Sequence, residues 1–456
     1  MITVGLDFGT HQTKLCVEKK EGVECSYTFV KFKDDKSIDH YTIPSVINID
    51  DHGLLSYGYI PQKTKGRIIR YFKQSVFRST KDQLMSQEDA MYYSIWYLAY
   101  ILFDLEKTYG TEFSVQMGVP TDSGHYENAK RIAVQILASA YNLVEEVFNN
   151  DKNEFLQCDV ATLKKKTIIV DYTDEIKDNY GILVFPEAYA CLKPLTSRGK
   201  IATGMSLMVD IGGGTTDVSF FTIENNLPQV YDFFSINKGL NYLTNVQPED
   251  YKSLSSFETI HHSALNIFFN NIKVMFELDE SNGNQNEGRK DSNVTSAKEI
   301  DSERTKNFVK ELSSKCNNLI QKLQLEFQEQ TNIPLYRLND ALKNRPLIYC
   351  GGGSTFRQLQ MSYYGFQDKK LISHQEWDIK SIDDIDDIIK KGLCPILSTC
   401  YGLSISVATD NIKKLPFRDI FENIRRMKEE EEAKELELYE ARNRSTSTYD
   451  DWDTIK

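Results

Sequence analysis

The stretch VDIGGGTTD, Val209–Asp217, decides how this chain is read. It closes an apolar strand, LMVDIG, and turns through three consecutive glycines. A second strand, DVSFFTI, a turn, ENNLP, and a third strand, VYDFFSI, follow. A strand that ends in glycine-rich backbone exposes amide N–H groups able to cradle phosphate oxygens. Glycine allows the close approach and the positive φ that such a turn needs. The same order opens the chain roughly two hundred residues earlier. There a strand over residues 1–8 runs through GLDFGTHQTK (Gly5–Lys14), and strands over Lys14–Glu18 and Val23–Phe32 complete a meander. A repeat of strand, glycine turn, strand and strand predicts two similar lobes. A third loop, YCGGGST (Tyr349–Thr355), follows the strand PLIYC. Glycine makes up only 24 of 456 residues, so its concentration in three strand-end loops carries information.

Asp7 and Asp210 occupy matching strand-end positions in the two repeats. Two carboxylates facing each other at the mouth of a two-lobed cleft can hold a hydrated magnesium ion, which neutralises phosphate charge during transfer to water. Asp217 ends the second glycine turn and would orient that water.

Composition narrows the classes. A hydrophobic fraction of 40% with 11% aromatics supplies real cores and excludes global disorder. With 54 Lys+Arg against 66 Asp+Glu the net charge is -12, which argues against a nucleic-acid binder. Eight cysteines, at 16, 25, 158, 191, 316, 350, 394 and 400, show no C-x-x-C pair, so spacing suggests neither a zinc site nor a redox pair. Scattered cysteines fit a reducing cytosol. MITVGLDFGT lacks the features of a signal peptide. The greasiest run, MYYSIWYLAYILF (Met91–Phe103), is shorter than the ~20 apolar residues of a spanning helix and reads as a buried aromatic helix. A cytoplasmic protein without membrane or nucleic-acid partners is expected.

Between the glycine loops, the pattern predicts a strand over Ser45–Ile49 and helices around 83–108 and 123–148, the latter capped by Asp122 or Ser123. Strands are expected at Phe113–Val119, Lys164–Val170 and Tyr180–Phe185, with a short helix over Ala188–Leu195. Helices over 252–278 and 304–330 flank a polar segment that reads as a surface loop. Pro395–Ala408 reads as a closing helix packed on the first lobe. Phe417–Arg444 is a charged helix with a sparse apolar stripe of Ile420, Phe421, Ile424 and Met427, read as a solvated helix with a frayed polar end at Trp452 or as a docking segment.

DFGTHQT, DIGGGTTD and GGGST, in this order, resemble the phosphate-one, phosphate-two and adenosine motifs of the actin/hexokinase/heat-shock ATPase superfamily. The closest resemblance is to the nucleotide-binding domain of DnaK-type heat-shock proteins. TIPSVINI (Thr42–Ile49), MGVPT (Met117–Thr121) and RYFKQSVFR, with Lys73 at the position of the family's catalytic lysine, extend it over roughly residues 1–410. The resemblance implies an α/β fold of two ribonuclease-H-like lobes with ATP or ADP and Mg2+ in the cleft between them. Lobe I would span 1–204, with an inserted subdomain at about 45–114 and the closing helix at about 395–415. Lobe II would span 205–394, with an insertion at about 246–334, and a charged tail would cover 416–456. Asp7, Asp210 and Asp217 would organise metal and water, with Asp7 and Asp210 holding the ion through water. Gly9, Thr10, His11 and Gln12 would bind the β- and γ-phosphates, as would Gly212, Gly213, Gly214 and Thr215. Lys73 would stabilise the γ-phosphate, and Gly352, Gly353 and Ser354 would approach ribose and adenine. Thr13 reads as a simple turn hydroxyl.

The sequence departs from the family in places. FPEAYA (Phe185–Ala190) puts Phe185 where the family has a glutamate that arranges attacking water, with Glu187 two residues later, so slow or absent hydrolysis is expected. His11 replaces a small hydroxyl residue, and Phe356 stands where an adenine-stacking arginine is common, followed by Arg357. A peptide-binding domain and a leucine-rich linker are not expected after residue 415, where VATDNIKKLPF leads into the tail. The leading expectation is a stand-alone DnaK-like nucleotide switch or slow ATPase. It would be read by an unknown protein partner through the tail or outer subdomains. The alternatives are a filament-forming bacterial actin similar to MreB and ParM, or a non-hydrolysing ATP-binding interaction module. A sugar kinase is disfavoured because no acidic base facing a sugar can be identified.

Overall fold

A computed structural model of the chain describes residues 1–60, 66–77, 85–120, 126–196, 205–224, 227–236, 238–240, 302–343, 345–355, 359, 368–412 and 415–447. The expected caps Asp122 and Ser123, the helix at 252–278, most of the polar loop after it, Phe356, Arg357 and Trp452 lie outside the described residues.

Two five-strand arrays form the frame. In lobe I, β1 (Ile2–Phe8) pairs antiparallel with β2 (Gln12–Glu21), which pairs antiparallel with β3 (Glu24–Phe29). On its other side β1 runs parallel to β4 (Ser114–Val119), which runs parallel to β5 (Ile182–Pro186). Lobe II repeats this order and these directions. There β6 (Ser206–Ile211) lies between antiparallel β7 (Thr216–Glu224) and parallel β9 (Pro346–Cys350), with β8 (Leu227–Ile236) and β10 (Asp368–Leu371) outside. This is the ribonuclease-H-like arrangement in duplicate. Both central strands are buried almost throughout, which is why β1 and β6 read as near-continuous apolar runs.

Between β3 and β4, a small sheet of Ile47–Ile49, Leu55–Tyr57 and Arg67–Ile69 precedes α1 (Phe72–Phe77) and α2 (Gln87–Tyr109). The Ser86 side chain accepts from the Asp89 N–H to start α2, and the Gly110 N–H donates to the Glu106 carbonyl to end it. The aromatic run Met91–Phe103 lies in α2 and packs into the lobe I core. Its polar tips are met internally: Trp96 Nε1 donates to Thr167 Oγ1 at 2.8 Å, and the Tyr97 hydroxyl donates to the Pro44 carbonyl at 3.0 Å. No helix among the described residues is long and apolar enough to cross a membrane.

The expected strand at Lys164–Val170 is absent. Val160–Lys166 is a helix, N-capped by Asp159, with Lys164, Lys165 and Lys166 in its last turn, where cations meet the negative end of the helix dipole. The apolar run that suggested a strand does not pair, and Ile168 is 60% exposed. The expected helix at 123–148 is α3 (Tyr126–Asn142), continued by one π-helical turn over Leu143–Val147.

Three helices cross reciprocally between the lobes. α4 (Glu187–Ala190) and α5 (Lys193–Thr196) leave lobe I but lay Ala188, Leu192 and Leu195 on Met208, Phe221 and Ile348 of the lobe II sheet. α7 (Cys394–Ser404) leaves lobe II and lays Leu397, Cys400 and Tyr401 against Cys16, Tyr27 and Phe29 of lobe I, as the closing-helix pattern predicts. In lobe II, α6 (Ser302–Gln330) supplies Phe308, Leu312, Leu323 and Phe327 to the core. The tail helix α8 (Phe417–Ser447) differs from the solvated helix expected: Phe417, Ile420, Phe421 and Ile424 are buried in that same core. Beyond them the helix leaves the core, and Leu436, Leu438 and Tyr439 are exposed.

Candidate functional site

Loop 1, the turn between β1 and β2, is pinned from below. Ser45 donates through Oγ to the Gly9 carbonyl at 2.7 Å, and its N–H donates to the His11 carbonyl at 2.9 Å. Thr13 and Ser45 share a buried hydroxyl contact of 3.0 Å, so Thr13 secures the turn. Loop 2, between β6 and β7, closes on itself: the Gly212 N–H reaches the Thr215 carbonyl at 2.9 Å, and Thr215 Oγ1 donates to Asp217 at 3.0 Å. The loops meet directly. A β-carbon on Gly213 would strike the His11 ring, so glycine is what lets the two turns touch. Gln74 of α1 adds a bridge, donating to the Gly214 carbonyl at 3.1 Å.

One cavity of about 90 Å³ lies under these loops. Asp7, Lys14, Lys73, Glu187, Asp210 and Asp217 supply its charge, and Gly9, Thr10, His11, Gln12, Gly212, Gly213, Gly214 and Thr215 supply its backbone rim. Thus every expected residue of the first two loops, and Lys73, comes to one cleft. The third loop divides. Gly351 and Gly352 line the cleft, whereas the expected Gly353 is buried against Ile211, and Ser354 is fully buried with its hydroxyl donating to the Cys350 carbonyl.

Lys73 is presented on a strained backbone. Tyr71, two residues before it and 1% exposed, holds φ at +61°, unusual for a bulky residue and characteristic of functional sites. Its ring packs edge-on to His11 at 5.6 Å, and its hydroxyl takes a hydrogen bond from Arg70 at 3.0 Å. Burial, then the charges of Arg70 and Lys14, pushes the His11 imidazole well below its usual range, so it is neutral at pH 7.

Glu187 is the functional residue that the sequence reading left out. It begins α4 directly after Pro186, lines the cavity and forms a buried ion pair with Lys73. Phe185, at the position expected for the acid, points away: it is 1% exposed, stacks on Tyr189 at 5.8 Å and lies 4.0 Å from the Lys193 ammonium. The signal for Glu187 was present, because an acid in the first turn of a helix after proline is favoured by the helix dipole.

The carboxylates press on one another. Asp210 is pushed up to about 6, by burial first and then by Asp217 and Asp7. Glu187 is also raised, by burial, with Lys73 opposing and Asp217 and Asp7 reinforcing. Lys14 pairs with Asp7 at 2.9 Å; burial acts to lower its pKa, and the carboxylate outweighs it. Gly351, at φ +79°, has its α-carbon against Asp210 and the Ile211 backbone, so the third loop fixes the position of that carboxylate.

No protein-family model and no curated protein matches the chain. Among solved structures it is similar to MreB5 of Spiroplasma citri bound to ADP, at 15% identity, with 78% of this chain and 86% of that chain covered and a TM-score of 0.37. A likeness of that size bears on neither substrate nor assembly.

Proposed function

We propose that the cleft binds a nucleoside triphosphate together with a divalent cation and hydrolyses it slowly, the movement of the two lobes being the output. The observation that carries this reading is convergence: glycine loops from two copies of one fold, and a third from the end of β9, meet over a single cavity. Among the described residues, four carboxylates there, Asp7, Glu187, Asp210 and Asp217, face two ammonium groups, Lys14 and Lys73. Burial raises Asp210 and Glu187 first, and the neighbouring carboxylates Asp217 and Asp7 add to the rise. A hard divalent ion such as Mg2+ offsets the excess of negative charge, so the donor set fits. Asp7 and Asp210 would hold the ion through water, and the ion would neutralise charge on the phosphate oxygens.

The chain's own groups do the rest. Backbone N–H groups of loops 1 and 2 bind the phosphates, and neutral His11 lets loop 1 approach loop 2 without adding charge. Lys73 holds the Glu187 carboxylate at the cleft wall. Glu187, with its proton affinity raised by burial, takes a proton from the attacking water. Phosphate release tests this. The wild-type chain should release phosphate from Mg-ATP, and Glu187→Gln should reduce the rate at least about 100-fold while nucleotide still binds. An unchanged rate in that variant would remove Glu187 from the role.

The output has two forms. In the DnaK-like form, a partner reads the lobe movement; in the bacterial-actin form, nucleotide drives filament assembly. The comparison structure carries a bacterial-actin name, at a likeness too loose to decide. Light scattering decides: a rise with ATP supports the filament, and a constant signal with a nucleotide-dependent change in hydrodynamic radius supports the switch.

A further inference from the structure

Beneath the cleft, three ligand-type atoms converge from three separate segments. Cys191 follows α4, Asp210 ends β6 and Cys350 ends β9. Asp210 and Cys350 are register partners on adjacent parallel strands, so both side chains leave the same face of the lobe II sheet. α4 crosses that face and delivers Cys191 onto it. The two sulfurs and a carboxylate oxygen lie within 4.8 Å of one another. Cys191 Sγ is 3.3 Å from Asp210 Oδ2 and 2.9 Å from Thr399 Oγ1, which comes from α7 and lines the cleft.

We propose that Cys191, Cys350 and Asp210 form a zinc site at the crossing of the two lobes, with the Thr399 hydroxyl or a water as fourth neighbour. Tetrahedral zinc with Zn–S bonds of about 2.3 Å sets two sulfurs about 3.8 Å apart, which small side-chain shifts reach here: the 3.3 Å Cys191–Asp210 contact opens slightly, and the other spacings, all within 4.8 Å, adjust to it. Two thiols with one carboxylate select a thiolate-seeking ion over magnesium, which takes oxygen ligands. Both sulfurs are fully buried, while Asp210 and Thr399 open on the cleft and give the ion its entry path. The bound ion ties α4 to the lobe II sheet and takes the carboxylate that the hydrated cation of the cleft would use. Zinc and Mg-nucleotide therefore compete. The metal site stands on geometry alone; only the competition rests on the proposed function.

Cobalt(II) is the probe, because it accepts tetrahedral zinc sites and reports thiolate ligands by a near-ultraviolet charge-transfer band and visible d–d bands. The full chain, reduced and titrated with cobalt chloride, should develop both, saturate at one ion per chain and lose them to one equivalent of zinc. Cys191→Ser and Cys350→Ser should each abolish the charge-transfer band. Cys316→Ser, whose sulfur is buried in the α6 layer of lobe II, should retain it. Absence of the band in the wild-type chain overturns the site without recourse to any variant, as does a band that survives both substitutions. In the second arm, one equivalent of zinc should weaken Mg-ADP binding at least 10-fold, and unchanged affinity overturns the competition. A chain that binds cobalt through both thiols but never binds nucleotide supports the metal site and contradicts the nucleotide reading.

Discussion

Gly351 shows how one backbone position holds the cleft together. At φ +79° it lets β9 turn immediately beside Asp210. Gly351→Ala meets two penalties at once: the left-handed conformation costs about 1–2 kcal/mol for a residue with a β-carbon, and the new methyl strikes the Asp210 carboxylate. The variant should lose at least 10-fold in Mg-nucleotide affinity and soften thermally; calorimetry that returns wild-type affinity would sever the third loop from the site. The residues legible in the sequence were those set by local pattern. Asp7, Asp210 and Asp217 stand at strand ends beside glycine turns, and short-range spacing suffices to place them. Glu187 was missed because a two-residue offset across a strand-to-helix junction decides whether Phe185 or Glu187 faces the cleft. The approach of Cys191 to Cys350 was invisible because strand register and a crossing helix create it, and the sequence shows only distant, unpaired cysteines.

At the level of elements, the tail helix is half structural. Phe421 packs against Phe327 with ring centroids 5.1 Å apart, and Phe417 lies against Phe220 and Tyr231. Phe421→Ala should cost about 3 kcal/mol, as for other buried aromatic truncations, whereas Leu436→Ala, at a residue 59% exposed, should stay within about 0.5 kcal/mol. Urea denaturation measures both; equal effects would mean that α8 is not part of the lobe II core. The sequence stripe located these residues, yet a sparse stripe in a strongly charged helix does not reveal that its partner is a helix layer a hundred residues away.

A second test at this scale concerns Lys193 on α5, 2% exposed and hydrogen-bonded to Gln116 at 3.0 Å. Burial pulls its pKa down to about 7. Its folded value lies below its unfolded one, so the unfolded chain binds more protons between about pH 7 and pH 10, and stability rises with pH there. Wild type should therefore gain stability relative to Lys193→Met from pH 7 to pH 9 in paired urea titrations. A difference independent of pH would show that the ammonium stays charged in the fold.

For the whole molecule, duplication is the central fact. Two sheets of identical order exchange crossing helices, so moving one lobe shifts α4 and α7 against both. The repeat was legible because both glycine turns and both meanders recur in order. The contact between the loops was not, since it depends on how the lobes close. As they stand, His11 meets Gly213 and Gln74 bridges to Gly214 over a cavity of about 90 Å³. A nucleotide seated between loops 1 and 2 would have to part these contacts. Nucleotide should accordingly change the protease sensitivity of the α1 segment around Gln74. The net charge of -12 is no obstacle to this, because the rim of the cleft is lined by glycine-loop backbone and two lysines.

The most direct test is isothermal titration calorimetry of ADP into the zinc-free chain with magnesium present, for wild type and for Asp210→Asn. The account predicts one nucleotide bound per wild-type chain, an affinity that falls when magnesium is removed, and at least a 10-fold loss in Asp210→Asn. No heat of binding in wild type for either ADP or ATP, or the same affinity in both proteins, would contradict it.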